Sequence, residues 1–258
     1  MVFIVRRAFY QCFMLHKNGA AVTFGLESAN VVGYQQITMR EYYTLKVASF
    51  NQVGGTGMDI QSIQPIAPEG YSLGGGVFDL QTLDDSGAMS EQFLYLTKAD
   101  DGVAKDGWYN DDGETISTKV FKCGEGFMYN NSIGAEASLQ FSGEVNLDAV
   151  TIKTPEYYSL IGNIRPTDMS IQNMIPIPPE GYSLGGGVFD LQTLDDSGAM
   201  AEQFLYLTKV DDGVAKDGWY NDDGETFATK VFDPAEGFMY NNSVGAEASL
   251  KFQTIVAE

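Results

Sequence analysis

Apolar and polar residues alternate in short stretches along most of the chain, and turn-forming residues separate the stretches. Residues 29–38 (ANVVGYQQIT) and 42–50 (YYTLKVASF) are rich in aromatic and β-branched residues, which favour strands. The same criteria predict further strands at 76–80, 92–97, 107–109, 118–121, 126–129 and 136–145. Asp-Gly steps lie between several of them and favour tight hairpins, because both residues tolerate positive φ angles. The pattern therefore predicts antiparallel β-structure.

Helical signals are few. Residues 59–63 and 170–174 each predict one short helical turn, with Asp59 or Ser170 near the N-terminal cap. Strands about ten residues apart with turns between them are typical of sandwiches and barrels. The predicted fold class is all-β, with two tandem antiparallel β-sandwich or barrel-like domains of similar fold.

The two domains follow from an internal repeat. Residues 68–121 recur at 179–232 with an offset of 181 − 70 = 111 residues. The differences within this stretch are Ser90 to Ala201, Ala99 to Val210, Ile116 to Phe227 and Ser117 to Ala228. A period of this length corresponds to a whole domain, not to a solenoid unit of about 20–50 residues. We predict a leader or N-terminal extension at 1–27 and β-domains at 28–143 and 144–258.

The N-terminal strands of the two copies differ far more than the rest. Residues 41–45 (EYYTL) align with 156–160 (EYYSL) at an offset of 156 − 41 = 115, so the second copy is shorter in a predicted loop. Two interpretations remain open. Gene conversion has kept the remaining part uniform, or the strands that face a neighbour have specialised.

Composition excludes some partners. The formal net charge is −20, from 35 acidic and 15 basic residues, which argues against nucleic acid and against an anionic membrane surface. The chain contains 29 glycines and 14 tyrosines, a composition that suits a secreted protein. Cys123 has Pro234 as its counterpart in the second copy, so removal of a leader that contains Cys12 would leave one thiol and no internal disulfide.

Residues 1–27 resemble an export leader. Arg6 and Arg7 precede a partly apolar stretch, and small residues follow at 19–21. Polar residues interrupt the apolar stretch, which is also too short to span a bilayer. An ordered N-terminal extension and a helix that packs on a partner are the alternatives.

The most acidic part of each copy is a turn-rich stretch at 100–114 and 211–225. Calcium is bound by about six to eight oxygen ligands, often from one acidic loop. The candidate ligands are Asn110, Asp112 and Glu114, with Asn221, Asp223 and Glu225 in the second copy. The EF-hand spacing is absent, and successive hairpins also explain the Asp-Gly steps, so a solvated turn-rich edge is the alternative.

The same hairpins contain a second candidate site. The rings of Trp108 and Tyr109, and those of Trp219 and Tyr220, could stack on the apolar face of a sugar. The alternative places each Trp in the core of its sandwich. The one histidine, His16, lies in the leader, so neither a Ser-His-Asp triad nor a zinc site is predicted. The chain is not predicted to be an enzyme.

Short landmarks occur in a fixed order along the chain, namely Tyr158–Gly162 (YSLIG), the Gly107-Trp-Tyr and Gly218-Trp-Tyr turns and Gly124-Glu-Gly-Phe127. In these landmarks the chain resembles a class of bacterial secreted β-modules. The segment Asn30–Tyr34 also resembles the mature start of such proteins. The resemblance implies an exported, surface-associated β-protein without known catalytic residues. Two positions depart from its pattern, because Ala235 stands for a glycine and Lys46 for an isoleucine.

These observations predict a non-catalytic extracellular structural protein, a self-assembling surface or filament subunit. The strands at 30–39 and 250–256 are long enough to pair with a neighbouring subunit by strand addition, or else they complete their own sheets. The alternative function is a carbohydrate-binding or adhesive module, with calcium as its candidate cofactor. The predicted partners are further copies of the chain or a glycan, and not nucleic acid.

Overall fold

A computed structural model describes residues 2–5, 31–47, 57–84, 86, 88–97, 99–100, 103–104, 106–145, 149–165, 167–184, 186–195, 199–208, 210–211 and 214–253. Within these ranges the regular elements are antiparallel strands and two single turns of 3₁₀ helix. The all-β prediction is therefore confirmed. Residues 6–30, which include most of the predicted leader, lie outside the described part.

The strands of the first half are β1 (Val2–Val5), β2 (Val31–Met39), β3 (Tyr42–Val47), β4 (Gly57–Asp59), β5 (Gln64–Ile66), β6 (Phe78–Leu83), β7 (Met89–Leu96), β8 (Ala99–Asp100), β9 (Val103–Ala104), β10 (Gly107–Asn110), β11 (Val120–Lys122), β12 (Gly126–Asn131) and β13 (Ala137–Val145). A 3₁₀ turn at Ile60–Ser62 lies between β4 and β5.

The strands of the second half are β14 (Val150–Thr154), β15 (Tyr157–Gly162), β16 (Met169–Ser170), β17 (Met174–Ile177), β18 (Phe189–Leu194), β19 (Met200–Leu207), β20 (Val210–Asp211), β21 (Val214–Ala215), β22 (Gly218–Asn221), β23 (Val231–Phe232), β24 (Gly237–Asn242) and β25 (Ala248–Phe252). Its 3₁₀ turn covers Ile171–Asn173.

Both halves order their strands in the same way. In the first half, β10, β7, β6, β12 and β3 form one sheet, and β1, β2, β13 and β5 form another. In the second half, the equivalent sheets are β22-β19-β18-β24-β15 and β14-β25-β17. Inward side chains from both sheets of a half, such as Leu80 and Leu139, belong to one apolar core that continues into the other half. The arrangement is β-sandwich-like, as alternating strands with one apolar face require.

The two predicted donor strands take part in their own sheets. Strand β2 lies between β1 and β13 and pairs with β13 along its whole length. Strand β25 lies between β14 and β17. The structure thus has the second of the two arrangements considered for these strands, while residues 254–256 lie outside the described part.

The short helical turns have the caps that the sequence predicts. The Asp59 carboxylate accepts a hydrogen bond of 2.9 Å from the backbone N–H of Gln61. The Ser170 hydroxyl accepts the equivalent bond of 3.3 Å from Gln172. Each cap satisfies an N–H group that the single turn leaves without a partner, and both predicted turns are confirmed.

The two halves touch through equivalent residues. A Cβ atom on Gly126 would lie 2.7 Å from the carbonyl carbon of Leu160, and one on Gly237 would lie 2.7 Å from that of Leu45. Gly126 and Gly237 are counterparts in the repeat, as are Leu45 and Leu160. The contact is therefore related to itself by an approximate two-fold axis, as in a symmetric dimer.

Sequence differences between the copies fall at this contact. Lys46 has Ile161 as its counterpart, and the turn residues Pro234 and Ala235 replace Cys123 and Gly124. The backbone N–H of Val47 donates a 3.3 Å hydrogen bond to the carbonyl oxygen of Ala235. This location supports the interpretation that strands facing a neighbour have specialised, the neighbour being the other half of the same chain.

Candidate functional site

The tryptophans of the predicted stacking surface lie in the core. Trp108 and Trp219 are both 0% exposed. The indole N–H of Trp108 donates a 2.7 Å hydrogen bond to the carbonyl oxygen of Ile63, and its ring meets Tyr95 edge-on at 5.2 Å. Neither indole presents a face to solvent, so the buried alternative describes their position. A sugar would reach them only if the core opened.

The tyrosines beside them are buried as well. Tyr109 and Tyr220 are each 3% exposed, on β10 and β22. The Tyr220 hydroxyl donates a 2.8 Å bond to the carbonyl oxygen of Lys216, and its ring meets Phe227 edge-on at 5.3 Å. The duplicated Trp-Tyr pair therefore serves packing in this fold.

The acidic hairpins use their central carboxylate to hold a turn. One Asp112 oxygen accepts hydrogen bonds of 2.8 Å from the N–H groups of Glu114 and Thr115, and the other accepts one from the Thr115 hydroxyl. Asp223 makes the same bonds to Glu225 and Thr226.

Asn110 and Asn221 take part in these turns through their backbones. The N–H of Asn110 donates to the carbonyl of Thr115, and its carbonyl accepts from Gly113, both at 2.8 Å. Within the described residues, no group of three or more His, Cys, Asp or Glu side chains is arranged to hold a metal ion. The geometry of the hairpins is that of a turn-rich, solvated edge.

A buried carboxylate in each half was not singled out from the sequence. Asp79 accepts hydrogen bonds of 2.7 and 2.9 Å from the amides of Asn130 and Gln81. Asp190 accepts the equivalent bonds at 2.7 and 3.2 Å from Asn241 and Gln192. Burial raises the pKa of Asp190, while these amide donors oppose the rise. The amides of Asn130 and Asn241 join β12 to β6 and β24 to β18, whereas Gln81 and Gln192 lie on the same strand as the aspartate that each bonds.

A concave site lies between the two halves and holds about 720 Å³. One wall comes from β2 and β3, and the other from the end of β18 and the segment from Lys230 to Gly237. The lining is Gln35, Gln36, Ile37, Thr38, Arg40, Thr44, Leu45, Lys46, Glu136, Thr193, Leu194, Asp195, Lys230, Val231, Asp233, Pro234, Glu236 and Gly237. We call this site the inter-repeat cleft. Its volume is typical of small-molecule sites.

The pKa of Lys46, which lines the cleft, departs from its ordinary value. Burial lowers its pKa, and the negative charges of Glu236 and Asp233 oppose this change. The Glu236 carboxylate is shared, because it lies 3.0 Å from the Lys230 ammonium and accepts a 2.7 Å bond from the N–H of Asp233. Perturbed ionisable groups in a cleft are typical of functional sites, although ion-pair networks also produce them.

The cleft contains groups that the sequence did not bring together. Lys46 and Asp233 belong to different copies and lie far apart in the chain. Their only sequence signal was that Lys46 and Ala235 depart from the pattern of the secreted β-modules, and both departures lie at the contact of the two halves. Neither strand periodicity nor motif spacing placed them in one site.

The comparisons with known proteins supply no relative: no family model matches the chain, and no match was found among curated proteins or among solved structures. Among the described residues, no helix has the length and apolar character that crossing a bilayer requires.

Proposed function

We propose that the chain is a non-catalytic extracellular structural protein that assembles with further copies of itself into a surface layer or filament. The observation that carries this proposal is the two-fold contact of Gly126 with Leu160 and of Gly237 with Leu45. It supports the proposal because two modules of the same kind already pack closely together within one chain. Association between like modules is the property that a self-assembling subunit uses.

The repeated polar residues support a scaffold role. Asp112 and Asp223 hold turns, Asp79 and Asp190 join strands, and the two tryptophans fill the cores. The acidic, glycine-rich and tyrosine-rich composition and the resemblance to secreted β-modules support an extracellular location.

Strand edges indicate where copies could join. Pro65 on β5 and Pro176 on β17 lack the N–H group that an added strand needs. The edges of β10 and β22 are capped by the side chains of Gln61 and Gln172, which bond the backbones of Trp108 and Trp219. Such features prevent unwanted pairing.

The outer edges of β1 and β14 carry neither a proline nor a glutamine cap in the described part of the chain. Each is the last strand of its sheet. Removal of a leader at 1–27 would remove β1 and leave β2 as the last strand of its sheet, so pairing of β2 in one copy with β14 in the next would join the two smaller sheets into one. Because this contact uses different surfaces on the two copies, it does not close, and repetition produces a filament.

Proline substitutions in β14 test this proposal. Neighbouring N–H groups of a strand point to opposite edges, so Thr151→Pro and Ile152→Pro are compared, since one of them removes an outward donor. Thr151→Val is the matched control that keeps every N–H. Size-exclusion chromatography with light scattering and negative-stain electron microscopy are run on each folded variant.

We expect assemblies from the wild type and the Val control, and their loss in a proline variant whose circular dichroism is unchanged. A wild-type chain that stays monomeric across a concentration series would refute self-assembly. Assemblies that survive both folded proline variants would refute pairing through β14.

A further inference from the structure

The inter-repeat cleft differs from its symmetry-related counterpart on the other side of the two-fold contact. On that side, Gly124 packs against the side chains of Ile152 and Ile164, with distances of 3.2–3.3 Å to a Cβ atom placed on the glycine. These contacts are apolar, and the buried guanidinium of Arg165 lies on the same side, where it acts electrostatically on Cys123. The cleft, by contrast, leaves about 720 Å³ open between β2, β3 and the 230–237 segment.

The residues that differ between the copies make one side polar. The cleft has Gln35, Gln36 and Lys46 where the other side has Val150, Thr151 and Ile161, as the matching strand registers establish. Gln35 is buried, with an exposed fraction of 1%. Two of the three counterparts, Val150 and Ile161, are apolar. At these strand positions the cleft is therefore the more polar of the two sides.

The charges of the lining nearly cancel. The cleft has three cations, Arg40, Lys46 and Lys230, and four carboxylates, Glu136, Asp195, Asp233 and Glu236, for a formal balance of 3 − 4 = −1. The whole chain carries −20. A strongly anionic ligand would meet this overall field, and a strongly cationic one would meet Lys46 and Arg40. A neutral ligand avoids both penalties.

The remaining lining both donates and accepts hydrogen bonds. Thr38, Thr44 and Thr193 contribute hydroxyl groups, and the Thr44 hydroxyl oxygen is buried with no hydrogen-bond partner in the described structure. Ile37, Leu45 and Leu194 add small apolar surfaces without an aromatic ring. Vicinal hydroxyls of a sugar donate and accept at once, and the C–H faces of the ring suit short aliphatic walls.

We propose that the inter-repeat cleft binds a neutral saccharide of one or two rings, held by Lys46 as donor and Asp233 as acceptor. Lys46 projects from the first half and Asp233 from the second, so the ligand bridges the two copies. The site is not duplicated with the same groups, because Lys46 and Gln35 have Ile161 and Val150 as their counterparts on the other side. The proposal does not require self-assembly, because both walls of the cleft come from one chain.

Saturation-transfer NMR tests the proposal with maltose, lactose and cellobiose as neutral probes, and with glucuronic acid and glucosamine as charged ones. The variant Lys46→Ile installs the residue that the other copy carries, so it is expected to fold. Asp233→Asn is a second variant at an exposed position with nearly unchanged shape. Lys153→Thr is the matched control, because it also exchanges a lysine for its counterpart, Thr38, but lies outside the cleft.

We expect at least one neutral disaccharide to give a saturable signal. Loss of a hydrogen bond to a charged group should weaken its binding by about tenfold in Lys46→Ile and in Asp233→Asn, and leave Lys153→Thr unchanged. Equal binding by the wild type and both folded cleft variants would overturn the proposal. So would the absence of signal from every neutral probe, or tighter binding of a charged probe than of any neutral one.

Discussion

Gly237 lies directly against the backbone of Leu45, so that a Cβ atom on the glycine would be 2.7 Å from both the Leu45 carbonyl carbon and the Lys46 nitrogen. Gly126 meets Leu160 in the same way on the other side of the contact. Two glycines, one from each copy, thus allow the halves to approach at backbone distance. A larger residue at either position would force the strands apart.

Gly237→Ala should lower the free energy of unfolding by about 1–3 kcal/mol, because the added methyl group meets backbone atoms that have no room to move. The measurement is the urea midpoint followed by circular dichroism. Gly74→Ala is the control, since the nearest atom to its Cβ would be 3.5 Å away. Equal midpoints for the two variants would show that the halves do not pack as described.

Lys46 predicts a dependence of stability on pH. Burial lowers its pKa below the ordinary value of 10.5, so the native state releases this proton at a lower pH than the unfolded chain does. Between the lowered pKa and 10.5 the unfolded chain binds more protons, and the free energy of unfolding therefore rises with pH. Below both values the cost of burying the charge is fully present.

Lys46→Ile should therefore be more stable than the wild type at neutral pH, by about 1 kcal/mol. The difference should shrink as the pH approaches 10.5. Urea titrations of both proteins over this range measure it, and the shared tyrosines cancel in the comparison. A difference that does not vary with pH would contradict the lowered pKa of Lys46.

Gln61 and Gln172 lie in the two short 3₁₀ turns. We expect their side chains to contribute strongly to the stability of the protein. The Gln61 amide donates 2.8 Å bonds to the carbonyls of Trp108 and Ser117, and its oxygen accepts a 3.0 Å bond from the Trp108 N–H. Gln61→Leu should cost about 2–3 kcal/mol, because the Trp108 N–H and the Ser117 carbonyl lose their bonds to Gln61, whereas the Trp108 carbonyl keeps its bond from the Ser117 N–H.

Gln172→Leu should have a similar effect, and the double variant should show the sum, since the two sites share no partner. Gln92→Leu, at an exposed position on β7, is the control and should change the unfolding free energy by less than about 0.5 kcal/mol. Thermal unfolding monitored by tryptophan fluorescence reports all of these changes. A Gln61→Leu protein as stable as the control would contradict the capping role.

In the acidic hairpins, we expect mutation of the central aspartate to lower the stability of the protein, and we expect calcium to leave that stability unchanged. Asp112→Ala removes the acceptor of three turn bonds and should lower stability by about 1 kcal/mol, with the same loss for Asp223→Ala. Because both carboxylate oxygens already serve the turn, calcium should not shift Tm relative to a chelator. Differential scanning fluorimetry measures both. A rise in Tm with calcium that is lost in Asp112→Ala would support the calcium site predicted from the sequence.

Local features were predictable from the residues because their causes are local. The alternation of side chains indicated β2, β3, β7 and β13 to within a few residues, and Asp59 and Ser170 indicated both 3₁₀ turns. The buried position of Trp108 remained one of two alternatives. Periodicity indicates which face of a sheet a residue lies on. It does not indicate what covers that face.

The sequence by itself determined the all-β class, the turns and the presence of two similar copies, since strand pairing and turn geometry depend on neighbouring residues. Only the tertiary structure decided that Lys46 lies near Glu236 and Asp233. It also decided that one side of the contact between the two halves packs on Gly124, whereas the other side forms a polar cleft. The physical reason is that these groups come from different copies. Their distance depends on how two finished modules pack, which no periodicity or motif within either copy encodes.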